Sequence, residues 1–501
     1  MRRRDLLQAS LAGMLAPRLG QSAVQSTAQT RSASGTREVL RPAGTRPSES
    51  VNSGIRAYVG DLTYSGSTAP ALVVELGLPW RFVSWADAQY VPCWDINGLW
   101  FTSEWLETLG NRSTYDFEPI SDKKLRYTHV ELTEVGPARA VVHWRYALCD
   151  TKERIFHGNT RGEEFHTIYP DGFTVRKLVA YPGTGEPVEG QPVMWEVGEI
   201  LLVHPQGSRV EDNLGREILD ISNIAGDTYR HRFDPGMKAF QSIGGLKTDL
   251  LCRAYPSSRN WSEFIWLCHL KNRPSPFVII PNRQDLFPHL PCVACGGDHP
   301  HTLLWQTLVT WKNWPQWKEE YEIGIGATEA DLKTRSVTTC VVSIAGWNHP
   351  TARYNDNSSI PFDPKWSPPP GTSWLMLQGV NPGDANYPRR LAASWLHPAE
   401  VKMVAGRFLG YEPAERAYRC EAIDRRVDLE LRPAADSPQV NPVVIVENWN
   451  YGNPLVTVDQ REPAPKDYAV SWVGTQLIVW FRREVEKSAR ITIQGWPEAS
   501  A

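Results

Sequence analysis

The sequence predicts an all-β protein, built either as a β-propeller or as the stacked sheets of a large sandwich. Three observations point there. Between Ser121 and Val179 polar and apolar residues alternate over successive segments, the period of strands with one face in a core and the other in water. From Ile55 onward short apolar runs are broken by Gly, Pro, Asn and Asp at hairpin intervals. No long helical period interrupts them.

The chain opens on MRRRDLLQASLAGMLAPRLGQSA, consecutive arginines followed by a weak apolar stretch and a small-residue exit. Residues 1–23 therefore read as an export signal of the twin-arginine kind, which places the protein in the periplasm or outside the cell. The apolar run is too short to span a bilayer, so no membrane insertion is expected. Residues 24–50, rich in Ser, Thr, Gly, Pro and Arg, read as a flexible leader.

Residues 51–385 form the expected main β body. Its strand candidates include YVGDLTY, ALVVELG, VMWEVGEILLVH, SEFIWLCHL, HTLLWQTLVTW and VTTCVVSIAGW. Gly136-Pro137 and Pro170-Asp171-Gly172 break the alternating stretch, so each is expected to turn a hairpin. A short helix is predicted near Arg390 to Trp395. Residues 386–501, with VDLELRP, VVIVENWN, LIVWFRR and ARITIQG, form a C-terminal β segment that closes or flanks the main body.

The 501 residues suffice for a large core. With 41% hydrophobic and 22% charged residues, composition argues against a disordered or membrane-embedded body. A net charge of -3 supplies no basic field for nucleic acid. An acidic ligand would have to be gripped by a local cluster. Eight cysteines are too few for a disulfide scaffold.

Such a cluster is suggested by the alternating stretch. Folding about Gly136-Pro137 brings His129 and His143 near one another, Tyr127 shares parity with His129, and Arg145 shares parity with His143. Tyr169 and Arg176 flank the second turn. Cleaving an acidic polysaccharide by β-elimination at a uronic acid needs a cation on the carboxylate, a base for the C5 proton and an acid for the leaving oxygen. Arg176 suits the first task because its planar fork matches a carboxylate. His129, His143 and Tyr169 suit the others. Tyr127, Arg145, His166 and Trp94 complete the expected substrate-binding set.

A second constellation lies in FPHLPCVACGGDHPH, where Cys292 and Cys295 in C-x-x-C spacing precede His299 and His301. These four are candidate ligands of a structural zinc, with a disulfide or buried thiols as the alternative. No organic cofactor is expected, and any metal, zinc or calcium, would hold structure rather than react. Acid pairs such as Glu163-Glu164 and Glu196 with Glu199 keep a glycoside hydrolase in play. Trp80, Trp94, Trp100 and Trp105 could instead form the stacking surface of a non-catalytic carbohydrate-binding protein.

The segments RFVSWADAQYVPCWDINGLWFTSEW, EPISDKKLRYTHVELTEVGPARAVVHWRYAL and EEFHTIYPDGFTVRKLV resemble secreted bacterial polysaccharide lyases of the ulvan lyase and rhamnose-glucuronate lyase type. The resemblance implies a seven-bladed β-propeller that cleaves beside glucuronate or iduronate with paired His residues, a Tyr and an Arg. His129 and His143 match the paired positions in order, and Arg176 falls at the carboxylate-binding Arg. Tyr169 precedes Arg176 by a shorter interval than the family pattern implies, so Tyr127 or His166 can stand in its place.

Overall fold

The structure, a computed structural model, describes residues 54–110, 116–185, 192–232, 261–288, 291–292, 299–300, 309–311, 329–334, 336–348 and 367–496. The expected export signal and leader lie outside these residues.

Both turns form where Gly and Pro punctuate the alternating stretch. His129–Val135 pairs with Ala140–Ala147, and Arg161–Ile168 pairs with Phe173–Tyr181. The two hairpins join side by side, Ala140–Ala147 against Arg161–Ile168, and Phe173–Tyr181 continues onto Thr372–Asn381. Beyond it follow Ser275–Pro281, Glu263–Leu270, Leu214–Ser222 and Thr228–Arg232, which completes a sheet of nine strands.

A second sheet of ten strands begins with the meander Arg56–Tyr64, Ser67–Glu75, Trp80–Trp85, Pro92–Ile96 and Leu99–Thr102. It then crosses to the long strand Pro192–His204 and on to Val337–Asn348 and Val309–Trp311, with Glu107–Gly110 and Asp116–Phe117 alongside. One continuous core lies between the two sheets. It joins Phe82, Val83, Trp94 and Trp100 of the ten-stranded sheet to Trp144, Tyr146, Leu178 and Trp374 of the nine-stranded one.

This arrangement corrects the propeller expectation and, with it, the resemblance to the propeller lyases. A propeller needs short sheets of four strands arrayed about a channel. Here strands keep adding to two long open sheets that bury one face each against the other, and among the described residues neither sheet closes on itself.

After the helix Tyr387–Leu396 the chain builds a two-stranded sheet, Gln439–Val440 with Glu484–Val485, and two larger ones. One holds Glu400–Ala405, Arg426–Arg432, Ala489–Gly495 and Pro454–Val458; the other holds Arg407–Glu412, Ala417–Glu421, Val443–Glu447, Gln476–Phe481 and Tyr468–Val473. They enclose their own core around Leu429, Val444, Leu477 and Ile491. The helix lays Leu391, Ala392, Trp395 and Leu396 on Val175, Ile265, Phe277, Ile279 and Leu377 of the nine-stranded sheet. That covers part of the sheet's outer face. Among the described residues no helix is long and apolar enough to cross a membrane.

Candidate functional site

Strand parity decides where each expected site residue goes. Across the four strands of the two hairpins, one row reads Glu131, His143, Phe165, Lys177 and the next reads His129, Arg145, Glu163, Val179. Both rows lie on the outer face. The intervening rows, Val130–Trp144–Glu164–Leu178 and Leu132–Val142–His166–Arg176, lie on the face turned to the ten-stranded sheet. The expected cluster is thus divided by the thickness of a sheet. His129, His143 and Arg145 stand on one side, His166 and Arg176 on the other.

On the outer face the His143 ring lies flat on Phe165, with centroids 4.4 Å apart and 2° between planes. Its Nδ1–H donates to Glu131 Oε1 at 2.8 Å, and Glu163 Oε2 lies 3.5 Å from Nε2. Glu131 Oε2 is 4.0 Å from His129 Nε2, so one carboxylate stands between two imidazoles. The His129 side chain is 42% exposed and that of His143 12%; of the two, His129 is the one a ligand can reach. Partial burial, then the Arg145 guanidinium, pushes His129 below its ordinary value, which favours the neutral, proton-accepting imidazole near neutral pH. Arg145 is exposed directly across the ladder from His129. At the rim the Arg161 guanidinium sits 4.1 Å from the centroid of the Tyr181 ring. Glu131, Glu163, Phe165 and Lys177 carry the same parity as the histidines, and that parity was the signal that could have added them to the expected set.

The inner face holds a closed network. Arg176 is fully buried and forms a two-pronged pair with Glu164, Nε to Oε2 at 2.7 Å and Nη2 to Oε1 at 2.8 Å. Tyr146 donates its hydroxyl to Glu164 Oε1 at 2.8 Å, and His166 Nε2–H donates to Oε2 at 3.2 Å. Burial alone would raise the Glu164 carboxyl, but the Arg176 guanidinium and these hydrogen bonds hold it at about 2. Burial lowers His166, which stays neutral as a donor. Arg176 Nη1 turns the other way, donating to the Ser103 carbonyl at 3.0 Å, the Val197 carbonyl at 3.0 Å and Ser103 Oγ at 3.2 Å. Its donors are taken by protein, so Arg176 organises the interior and presents nothing to a polymer.

The remaining expected residues are spread out. Tyr169 is buried, its hydroxyl donating to the Glu415 carbonyl and its ring 5.2 Å from the Arg416 guanidinium. Burial pushes its phenol up to about 12. Tyr127 donates its hydroxyl to the Glu153 carbonyl at 3.3 Å. Trp94 is buried in the core edge-on to Phe82, and Trp80, Trp100 and Trp105 are buried too, so these four offer no stacking platform. Cys292 pairs with His299 across a two-residue ladder, while Cys295 and His301 lie outside the described residues.

The metal-capable group among the described residues lies elsewhere. Carboxylate oxygens of Glu104, Glu196 and Glu199 fall within 4.8 Å of one another, and all three residues are buried. This trio can hold a metal ion. Glu196 and Glu199 have opposite parity on Pro192–His204, and breaks in register between Trp195 and Gly198 bring them to one side. Glu104 lies between two strands that pair with that same long strand, Thr102 opposite Leu201 and Glu107 opposite Glu196. Its φ of 59° is left-handed, a strained choice for a residue with a side chain. Burial, then the neighbouring carboxylates of Glu199, Glu107, Glu196 and Glu118, pushes the Glu104 carboxyl well above its ordinary value. No strand period marks Glu104 in the sequence, although Glu196 and Glu199 stand out there as an acid pair.

No family model matches the chain, and no curated protein does. Among solved structures it is similar to a galactose 1-epimerase from Lactobacillus acidophilus NCFM, at 9% identity and a TM-score of 0.26, over 66% of this chain and 98% of that one. So loose an overlap assigns neither fold nor activity to the chain.

Proposed function

We propose that the chain is an acid–base enzyme acting on an acidic polysaccharide laid along the open outer face of the two hairpins. The observation that carries this reading is the pairing of His129, an exposed imidazole pushed toward its neutral form, with the exposed guanidinium of Arg145 directly across the ladder. Arg145 neutralises a substrate carboxylate, which makes the adjacent carbon-bound proton more acidic. His129 accepts that proton. Loss of the substituent one carbon further along then breaks a C–O bond and leaves a C–C double bond, and the departing oxygen takes up a proton from water at the open face. Glu131 and His143 are positioning residues, one between the imidazoles and the other clamped on Phe165. Lys177, Arg161 and Tyr181 extend the surface with two cations and a ring on which a sugar can stack.

The rival carboxylate-pair hydrolysis at Glu196 and Glu199 is disfavoured because both are almost fully buried, at 1% and 3% exposure. Export through the signal of residues 1–23 belongs to the same reading, since polymers too large to enter a cell are met outside the cytoplasm; a fusion of residues 1–50 to a reporter tests it.

The test is incubation of the purified chain with a panel of uronate-containing polysaccharides. New ultraviolet absorbance from a double bond conjugated to the carboxylate, formed in step with shorter chains, supports the reading. New reducing ends without that absorbance replace elimination by hydrolysis. Neither signal on any polymer removes the catalytic reading.

A further inference from the structure

We infer that Glu104, Glu196 and Glu199 form a binding site for a hard divalent cation, with calcium the best match, which ties Ser103–Leu106 to the long strand Pro192–His204.

Four features of the site lead there. The three oxygens fall within 4.8 Å of one another, close enough to share one cation held at metal–oxygen distances of about 2.0–2.6 Å. Glu104 Oε2 is buried with no hydrogen-bond partner among the described residues, on a side chain that reaches into the cluster and belongs to a residue only 3% exposed. A buried carboxylate oxygen left in that state costs free energy unless an ion or a proton takes it. The neighbouring Arg176 does not fill this role, because both of its carboxylate-facing nitrogens bond Glu164.

The fourth feature is how the site is held. Arg176 Nη1 donates to the carbonyls of Ser103 and Val197, the residues next to Glu104 and Glu196 in the chain. The Glu199 N–H donates to the Ser103 carbonyl at 3.2 Å. The backbone on both sides of the cluster is thus fixed by bonds that do not use the carboxylates. A donor set of carboxylates alone, with no thiolate or imidazole in the trio, selects calcium, magnesium or manganese over zinc. Calcium accepts irregular shells and multidentate carboxylates, whereas magnesium demands near-octahedral geometry and retains water.

The experiment uses the full chain, stripped with a chelator and returned to calcium, magnesium, manganese or zinc chloride in separate arms. Bound metal is counted by elemental analysis and the thermal midpoint is followed. Wild type is expected to take up one calcium per chain and to gain several degrees in midpoint, rising with the logarithm of calcium concentration. Glu104→Gln and Glu199→Gln remove charge at nearly constant shape. Each is expected to be at least as stable as wild type in chelator, because like-charge repulsion is relieved, and to lose the calcium-dependent gain. That combination separates a cation site from a merely structural carboxylate, whose replacement would lower stability in chelator as well. No metal retained and no shift with any of the four ions overturns the inference, as does a calcium shift that survives in both variants. A zinc response without a calcium response overturns the assignment to a hard cation.

Discussion

At the residue scale the two faces of one hairpin pair impose opposite demands on similar side chains. In the proposed mechanism His129 serves as the base because it is half exposed and pushed toward neutrality. His129→Ala is therefore expected to lower kcat on the responsive polymer by about 100-fold or more with the thermal midpoint unchanged, as for loss of a general base. Unchanged turnover would remove His129 from the mechanism. Arg176, fully buried, is expected to matter through stability instead. Arg176→Ala leaves Glu164 as an uncompensated buried charge and is expected to cost about 3–5 kcal/mol in urea unfolding; a loss of activity at wild-type stability would contradict that assignment. Glu164 also sets an acid limit. Its folded carboxyl sits at about 2, below the unfolded value of about 4.3, so its stabilising contribution is present above the unfolded value. That contribution is lost as pH falls toward 2. Between these values the urea midpoint of wild type is expected to fall more steeply than that of Glu164→Gln, and parallel curves would contradict the pairing.

At the element scale the hairpins were legible because alternation and turn residues are local signals, and both turns stand where Gly136-Pro137 and Pro170-Asp171-Gly172 predict them. Same-strand parity was legible as well: His143 and Arg145 do share a face. Which face is buried was not, because the inner rows carry Glu164, His166 and Arg176, polar residues that satisfy one another only once the sheet is assembled. The gathering of Glu196 and Glu199 was hidden for a related reason. Strand period alone sends them to opposite faces, and the register breaks that reunite them depend on the strands paired on either side. Close approach between strands gives a further test. A Cβ on Gly162 would stand 2.7 Å from the Tyr146 ring, whose hydroxyl holds both Leu106 N–H and Glu164. Gly162→Ala is expected to cost about 1–3 kcal/mol by forcing that ring aside, and an unchanged urea midpoint would show that the ring is not held.

At the scale of the whole molecule, the count of short strands and their turns is common to propellers and sandwiches. The distinction lies in whether strands beyond a hairpin start a new blade or extend an old sheet, a choice made by contacts far apart in sequence, such as Phe173–Tyr181 with Thr372–Asn381. The consequence for function is an open outer face, part covered by the helix Tyr387–Leu396 and part left to His129, His143, Arg145 and Phe165. The C-terminal sheets lock to the first two through polar pairs, the buried Arg416 with Asp171 at 2.6 Å and the buried Arg139 with the partly buried Glu415 at 3.0 Å. The most direct test of the account compares chain shortening of a uronate polysaccharide by wild type, Arg145→Ala and His129→Ala, each checked for an unchanged thermal midpoint. Wild type is expected to shorten the polymer rapidly with a new double bond, and both variants to lose nearly all of that activity. Equal shortening by all three would contradict the proposed mechanism.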